Sequence, residues 1–355
     1  MSGTTRLLTE TADRLFAEHA TRATLDAMEA GTFPQALWGA MEETGLALAG
    51  APEEAGGAGL ALDDLLALVR VAGAHAVPVP VQETLLAQHA LAAAGLAVPE
   101  GPLGIAPVLR GDVPGFAGGR LAGRMRRVPW ARHLGGLVVV VPGPEGARTV
   151  LAGAPAVVEQ ARNHAGEPRD TVDLAATPVL AAGTPGAGLT PERLRGLGAL
   201  FRANAMAGAL QRITELTLRY AQDRVQFGRP IAKFQAVQHQ IAVLASQAAA
   251  ARVAAEVAAR AATAGPAGFE IACAKLRVGE AATLGAGIAH QVHGAMGFTH
   301  EHVLHFSTRR LWSWRDEFGN EAEWAGVVGR MARAAGSEGL WPLLTDGALP
   351  PGFAA

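Results

Sequence analysis

The segment RYAQDRVQFGRPIAKFQAVQHQIA, Arg219 to Ala242, restricts the fold more than any other stretch of the chain. Before it, Leu194, Leu197, Phe201, Leu210, Ile213, Leu216 and Tyr220 mark one helical face. After it, Phe234, Val237, Ile241 and Leu244 start a second face, which Val253 and Val257 continue. The Phe227-Gly228-Arg229-Pro230 break cannot continue a helix, so two long helices meet at a short turn. Polar residues gather there. Helix ends expose backbone N–H groups that suit phosphate oxygens, and an arginine fork adds a two-point grip. Arg224, Gln226, Phe227 and Gln235 are spaced so that some can grip a phosphate while others border a flat ligand. An ordinary helical hairpin with a surface arginine satisfies the same spacing.

The rest of the chain reads as α, then β, then α. Over residues 1–100, Leu7, Leu8, Ala12, Leu15 and Phe16 repeat at helical spacing, followed by Phe33, Leu37, Met41 and Leu46. PEEAGGAGL (Pro52 to Leu60) is a glycine loop. Leu62, Leu65, Leu66 and Val69 open another helix with Asp63 and Asp64 in its first turn. Pro78 and Pro80 break it, and a further helix covers about residues 82–94. Residues 101–185 are richer in proline and glycine. Their β-prone runs at 137–141, 149–151, 171–174 and 179–180 predict a small all-β region. Long helices return over 186–345, with Gly265-Pro266 separating one from a third at about 269–296, and 346–355 form a tail.

Composition removes several function classes. A net charge of −2 gives no field that draws in nucleic acid or an anionic membrane. Cys273 is the only cysteine, which excludes an internal disulfide and a thiolate metal cluster and fits a reducing cytoplasm. The amphipathic N-terminus lacks a signal-peptide core. The apolar run Leu137 to Val141 falls far short of the ~20 residues of a spanning helix. The expectation is a soluble cytoplasmic protein with neither nucleic-acid nor membrane partners.

Other constellations can carry chemistry. In QVHGAMGF (Gln291 to Phe298), Gly294 and Gly297 interrupt a helix and admit close approach, while Gln291 can hydrogen-bond a base or amide; a plain helix stop reads the same. His290, His293, His300, His302 and His305 form a cluster that could bind metal, but it lacks H-E-x-x-H and straddles two glycines. In STRRLWSWRDEFGNEAEW (Ser307 to Trp324), Asp316, Glu317 and Glu321 lie beside three tryptophans. A carboxylate in that apolar setting can act as a general base, and a capped helix end with solvated charges is the alternative. No G-x-G-x-x-G follows a strand, no G-x-x-x-x-G-K-[ST] occurs, and serine is absent between Ser2 and Ser246.

Taken together these pieces resemble the flavin-dependent acyl-CoA dehydrogenases over nearly the whole length. LWGAMEETGLALAGAPEEAGGAGLALDDL is similar to the family's N-terminal helical domain, the Arg219–Ala242 segment to its flavin-binding segment, and QVHGAMGFTHEH to its Q-x-x-GG-x-G segment. The resemblance implies an α+β, mostly α fold. It would have an N-terminal helical domain over 1–100, a small central β-barrel-like domain over 101–185 and a C-terminal four-helix bundle over 186–345. It implies that Arg224 and Gln226 hold the FAD pyrophosphate and that Phe227, Phe234 and Gln235 border the cofactor. Gln291 to Ala295, with Gly294 and with Ala295 in place of the usual second glycine, match the stretch that contacts the adenosine half. Such contacts reach FAD bound mainly by a neighbouring subunit, so an oligomer is implied, homomeric or with a related chain. The implied reaction is α,β-dehydrogenation of an acyl-CoA. A carboxylate takes the α-proton, the β-hydride passes to FAD, and an electron-transfer flavoprotein is the electron acceptor.

The resemblance has gaps. The family's base precedes a Gly-Thr pair; ungapped matching from Gln291 and Arg309 places Phe318 there, before Gly319-Asn320, which fall with the cofactor-bordering residues. Glu317, one residue earlier, is the candidate base and Asp316 the alternative. Some relatives carry the base on the first bundle helix, but Leu197 to Arg202 holds no carboxylate and Glu192 is too early. APVLRGDVPGF (Ala106 to Phe116) stands where the family has T-E-P-x-x-G-S-D, and Val128-Pro129-Trp130 takes the place of the stretch beside the flavin. Two readings follow: a catalytic dehydrogenase using Glu317, or a non-catalytic subunit that completes the FAD site of a related chain.

Overall fold

Apolar residues three and four apart give helices with one buried stripe. The computed structural model, which describes residues 3–107, 109 and 111–350, has such helices at both ends of the chain and sheets between. Val108 and Arg110 of the Ala106–Phe116 stretch, and residues 351–355 of the tail, lie outside the described residues. The N-terminal region contains α1 (Gly3–His19), α2 (Arg22–Glu29), α3 (Gln35–Glu43), α4 (Leu62–Ala74) and α5 (Val81–Ala93). Periodicity alone does not reveal α2, because two turns carry only Leu25 and Met28 as buried residues. Helix α5 is buried nearly all round. Its buried Gln88 is satisfied by backbone groups: Gln88 Nε2 donates to Ala47 O (2.7 Å) and Gln88 Oε1 accepts from Gly50 N (3.0 Å).

The central region holds β1 (Leu103–Ile105), β2 (Gly115–Ala117), β3 (Arg120–Ala122), β4 (Arg124–Pro129), β5 (Gly136–Val141), β6 (Arg148–Ala152), β7 (Val157–Glu159), β8 (Arg169–Asp173) and β9 (Val179–Ala182). One sheet runs β1-β5-β6-β9, with β5 parallel to β1 and antiparallel to β6. A second runs β4-β8-β7, and β2 and β3 form a hairpin. Among the described residues these sheets stay open, which corrects the barrel-like expectation to a set of small sheets. Leu137, Val139, Val150 and Val172 face one core with Met125 and Val128. Strands β1 to β4 escape a pattern reading because they are short or, like β4, arginine-rich.

The C-terminal region follows with α6 (Pro191–Asp223), the ribbon β10 (Val225–Gln226) and β11 (Arg229–Pro230), then α7 (Gln235–Ala264), α8 (Gly268–His293), α9 (Leu304–Asp316) and α10 (Glu321–Asp346). The chain forms two compact units, Met1–Leu65 with Val77–Gly198, and Leu66–Ala76 with Ala199–Ala355. Within the second, small residues let helices touch. A Cβ on Gly285 of α8 would meet Leu210 of α6 at 2.9 Å and Leu244 of α7 at 3.2 Å. A Cβ on Gly208 of α6 would collide with the Arg70 carbonyl of α4, and one on Gly73 with that of Ala205. Gly208→Val is therefore expected to lower stability by about 1–3 kcal/mol, the range for overpacked sites. A lower urea midpoint checks this, and an unchanged midpoint would mean the two helices separate freely.

Helix α7 departs from the expectation that nothing reaches spanning length. It is long and apolar enough to cross a membrane by length and composition, with a mean hydropathy of 1.4 in its most apolar window. Only 22% of that window is buried within the chain. Alanine supplies most of the apolar character, and Val243, Val253 and Val257 stand exposed.

Candidate functional site

Helix α6 ends at Asp223 and the chain reverses in a two-residue turn. Val225 pairs with Pro230 and Gln226 with Arg229. Phe227 (φ 53°) and Gly228 (φ 78°) both take left-handed backbone, as a tight type I′ hairpin requires. Glycine adopts this freely, whereas phenylalanine rarely does. Phe227 is held out at the tip, 92% exposed, edge-on to Phe234 at 6.1 Å. The Arg229 guanidinium lies 4.3 Å over the Phe234 ring. Arg224, Gln226 and Gln235 are exposed, and their side chains bond to no described residue. Phe234 gives α7 no side-chain cap, so its first N–H groups lack a side-chain acceptor. The hairpin thus gathers an arginine, two amides, open N–H groups and an aromatic tip, a combination suited to an anionic ligand with a flat portion.

Helix α8 stops at Gly294, whose φ of 58° leads into a 3-10 turn over Gly294–Phe298. Gln291, Gly294 and Ala295 are exposed. Gln291 borders a cavity of about 650 Å³ together with Gln240, Thr283, Glu280, Arg315 and Glu321. Arg315 is fixed there, 3.0 Å from Glu321 Oε1 and donating to Thr283 Oγ1 at 3.1 Å. The histidines pack with aromatic rings. His290 stacks on Phe298 (4.6 Å) and Trp312 (5.5 Å) and bonds the Thr308 hydroxyl at 3.0 Å. No group of three or more His, Cys, Asp or Glu side chains is arranged to hold a metal among the described residues.

The turn between α9 and α10 is closed by ionic contacts. Phe318 (φ 56°) and Gly319 (φ 102°) reverse the chain. Asn320 caps α10, its Oδ1 accepting from Glu323 N at 3.1 Å. Lys275 of α8 is buried and donates to the carbonyls of Arg315 (2.6 Å) and Gly319 (2.7 Å). Burial pushes its pKa down to about 8, against the opposing pull of Glu321, Glu317 and Asp316. Arg202 of α6 donates Nε to Glu317 Oε2 at 2.7 Å, with side chains only 3% and 10% exposed. The guanidinium sits 5.9 Å from the ring centroids of both Trp314 and Phe318. Glu317 is therefore engaged by a buried arginine, and an aromatic ring occupies the neighbouring position. Asp316 stays exposed, 3.7 Å from Arg315.

Removing one partner of a buried pair leaves an uncompensated charge, which typically costs about 3–5 kcal/mol. Arg202→Met is expected to fall in that range, and Arg202→Met with Glu317→Leu to recover most of the loss. Urea unfolding of both variants checks this. A single variant as stable as the parent would show that the pair holds nothing together.

In the β region, the Val128-Pro129-Trp130 stretch turns inward. Trp130 is 2% exposed with a left-handed φ of 59°, and it packs edge-on to Phe33 at 6.5 Å and against His133 at 6.3 Å. Its backbone N–H donates to Pro168 O at 3.0 Å. That indole is core, and it presents no free face to a flat ligand.

Sequence reasoning singled out the hairpin and the Gln291 segment but not the buried contacts of Arg202 and Lys275. The signal for both was a charge inside an apolar helical run, in LFRANA and IACAKL. Buried charges are rare without partners, so each predicts an ionic or carbonyl contact.

Comparison with known proteins agrees with this architecture. Residues 196–315 match the model described as the acyl-CoA dehydrogenase C-terminal domain, and residues 2–97 that of the N-terminal domain. Acyl-CoA dehydrogenase IpdE2 of Mycobacterium tuberculosis is 31% identical over 324 residues, covering 86% of this chain and 90% of its own. Its counterpart from Mycolicibacterium smegmatis is 32% identical over 318 residues, covering 87% and 93%. Among solved structures, a variant of the Tcur3481-Tcur3483 steroid ACAD superposes with a TM-score of 0.84 at 27% identity, covering 94% of this chain and 99% of that one. The ChsE4-ChsE5 complex from Mycobacterium tuberculosis gives 0.84 at 23% identity, covering 94% and 98%.

Proposed function

Because the chain belongs to the acyl-CoA dehydrogenase family of oxidoreductases, we propose that it is the non-catalytic subunit of a two-chain member and completes the FAD site of a related catalytic chain. The observation that carries this reading is the buried Arg202–Glu317 pair; ungapped sequence matching sets Phe318 where the family's base is expected. A base must be free to accept a proton from substrate. Here the candidate carboxylate is held by a guanidinium between two aromatic rings.

Two further observations support it. The residues present fit one part of an FAD site and not another. The Arg224 and Gln226 side chains are exposed, bond to no described residue and suit the pyrophosphate, and Gln291 borders a cavity that suits a nucleoside. The β region, by contrast, buries Trp130 and lacks the Thr-Glu-Pro signature. The exposed apolar face of α7 is what a helical partner would cover, since such a face is unfavourable in water. The ChsE4-ChsE5 structure is a complex, and the Tcur3481-Tcur3483 enzyme is a steroid ACAD. We extend both features to this chain: a hetero-oligomer acting on a bulky, ring-bearing acyl-CoA. When bound, FAD supplies the hydride acceptor. This chain's residues grip its phosphates and adenosine end, and an electron-transfer flavoprotein takes the electrons onward.

Glu317→Gln, assembled with the catalytic chain, tests the reading. Turnover is expected within about twofold of the parent complex, since loss of a general base costs about 10²–10⁴. A fall of that larger size, with the complex still folded and flavin-loaded, would make Glu317 catalytic and overturn the proposal.

A further inference from the structure

Tyr220 stands one turn before Arg224, whose N–H donates to the Tyr220 carbonyl at 2.9 Å. Its ring stacks on His293 at 4.4 Å and 25°. His293 is two residues beyond Gln291, at the end of α8. His302 closes the group edge-on, 4.6 Å from His293 and 6.0 Å from Tyr220. Three rings therefore tie the root of the hairpin to the Gln291 segment. Resting on the cofactor reading above, we propose that His293 is a positioning residue: in its neutral form it holds the Arg224 hairpin and the Gln291 segment in one register for a bound dinucleotide, and protonation releases them.

The hydrogen bonds fix the neutral form. His293 Nδ1 donates to Ala289 O at 2.7 Å, which leaves the lone pair on Nε2. That Nε2 is buried with no hydrogen-bond partner among the described residues, and the residue is 2% exposed. A second proton would be placed on Nε2, where no described residue accepts it. His302 Nδ1 accepts from Leu304 N at 3.1 Å, so its own hydrogen is on Nε2. The groups facing His293 are Tyr220 from α6, His290 from α8 and His302 from the loop before α9, with His305 of α9 behind His302. The charges that reach His293 are those of His302 and His290, which oppose its protonation.

Burial pushes His293 down to about 4, and His290 and His302 are lowered for the same reason. An opened segment takes up protons near the ordinary histidine value of ~6.5. The clamp is therefore fully closed above that value and loses stability as pH falls from it toward the lowered ones. One such histidine raises the opening constant by up to about tenfold per pH unit. Several together make the dependence steeper.

Hydrogen exchange of the full chain, alone and in the FAD-loaded complex, tests this. Corrected for intrinsic rates, protection over residues 289–305 should fall by more than tenfold per pH unit on acidification below the ordinary histidine range, while the α7 interior changes little. His293→Phe keeps the stacked ring without the titration, so its slope should be flatter by about one proton. Should His293→Phe not fold, His293→Gln, which also removes the titration, carries the same test. An unchanged slope in the folded variant, or no pH dependence in the parent, overturns the proposal. Flavin release separates the two readings. Protection that falls while the complex keeps its FAD would leave the clamp standing as a structural device but remove its cofactor role, and the positioning proposal with it. Flavin loss with protection intact overturns the clamp while sparing the cofactor reading.

Discussion

Produced without a partner chain, the protein is expected to be colourless, with flavin far below one per chain. A flavin ring needs a flat face and hydrogen bonds to its edge, and the two β-region stretches expected to supply them are, respectively, buried and altered in sequence. Trp130 is consumed in the core beside Phe33 and His133. The Ala106–Phe116 stretch carries no Thr-Glu-Pro to line such a site. What remains is a phosphate grip on an exposed hairpin, and charge-assisted hydrogen bonds of about 1.5–3 kcal/mol each are too few to retain a large cofactor through purification. Co-production with the catalytic chain should restore the colour. Visible absorbance of the two preparations is the measurement, and a stoichiometrically yellow protein from single production contradicts the expectation.

The second large effect concerns Arg224. In the assembled complex, Arg224→Ala should weaken FAD by roughly 10- to 150-fold, the equivalent of one charge-assisted bond of about 1.5–3 kcal/mol. Gln226→Ala, which removes a neutral donor, should lose only about 0.5–1.5 kcal/mol. The contrast matters more than either value, because a general loosening of the hairpin would affect both alike. Flavin titration of the apo-complex reads the difference, and it should narrow at high salt, where charge contacts are screened. Equal losses in both variants would remove the pyrophosphate role from Arg224.

The order α, β, α and the long C-terminal helices were legible because each rests on strong local signals. The Phe-Gly-Arg-Pro break gave the hairpin, Gly265-Pro266 the end of α7, and the GLVVVV run strand β5, buried at every residue. Short strands such as β2 and β7 were not legible, since three residues carry no period and their pairing depends on distant partners. The candidate site divides in the same way. Arg224, Gln226 and Phe227 are neighbours in sequence, so their association follows from local geometry. The Arg202–Glu317 pair joins residues 115 apart, and the Tyr220–His293–His302 stack crosses from α6 to α8 to the loop before α9. Such contacts appear only once the helices pack. The same packing shows why Glu317, a reasonable base by sequence, has its Oε2 already engaged.

The flavin content of the purified two-chain complex separates a subunit that completes its partner's FAD site from one that binds its own. One FAD for each pair of chains is expected, with Arg224 of this chain needed for its retention. One FAD for every chain, this one included, would contradict it.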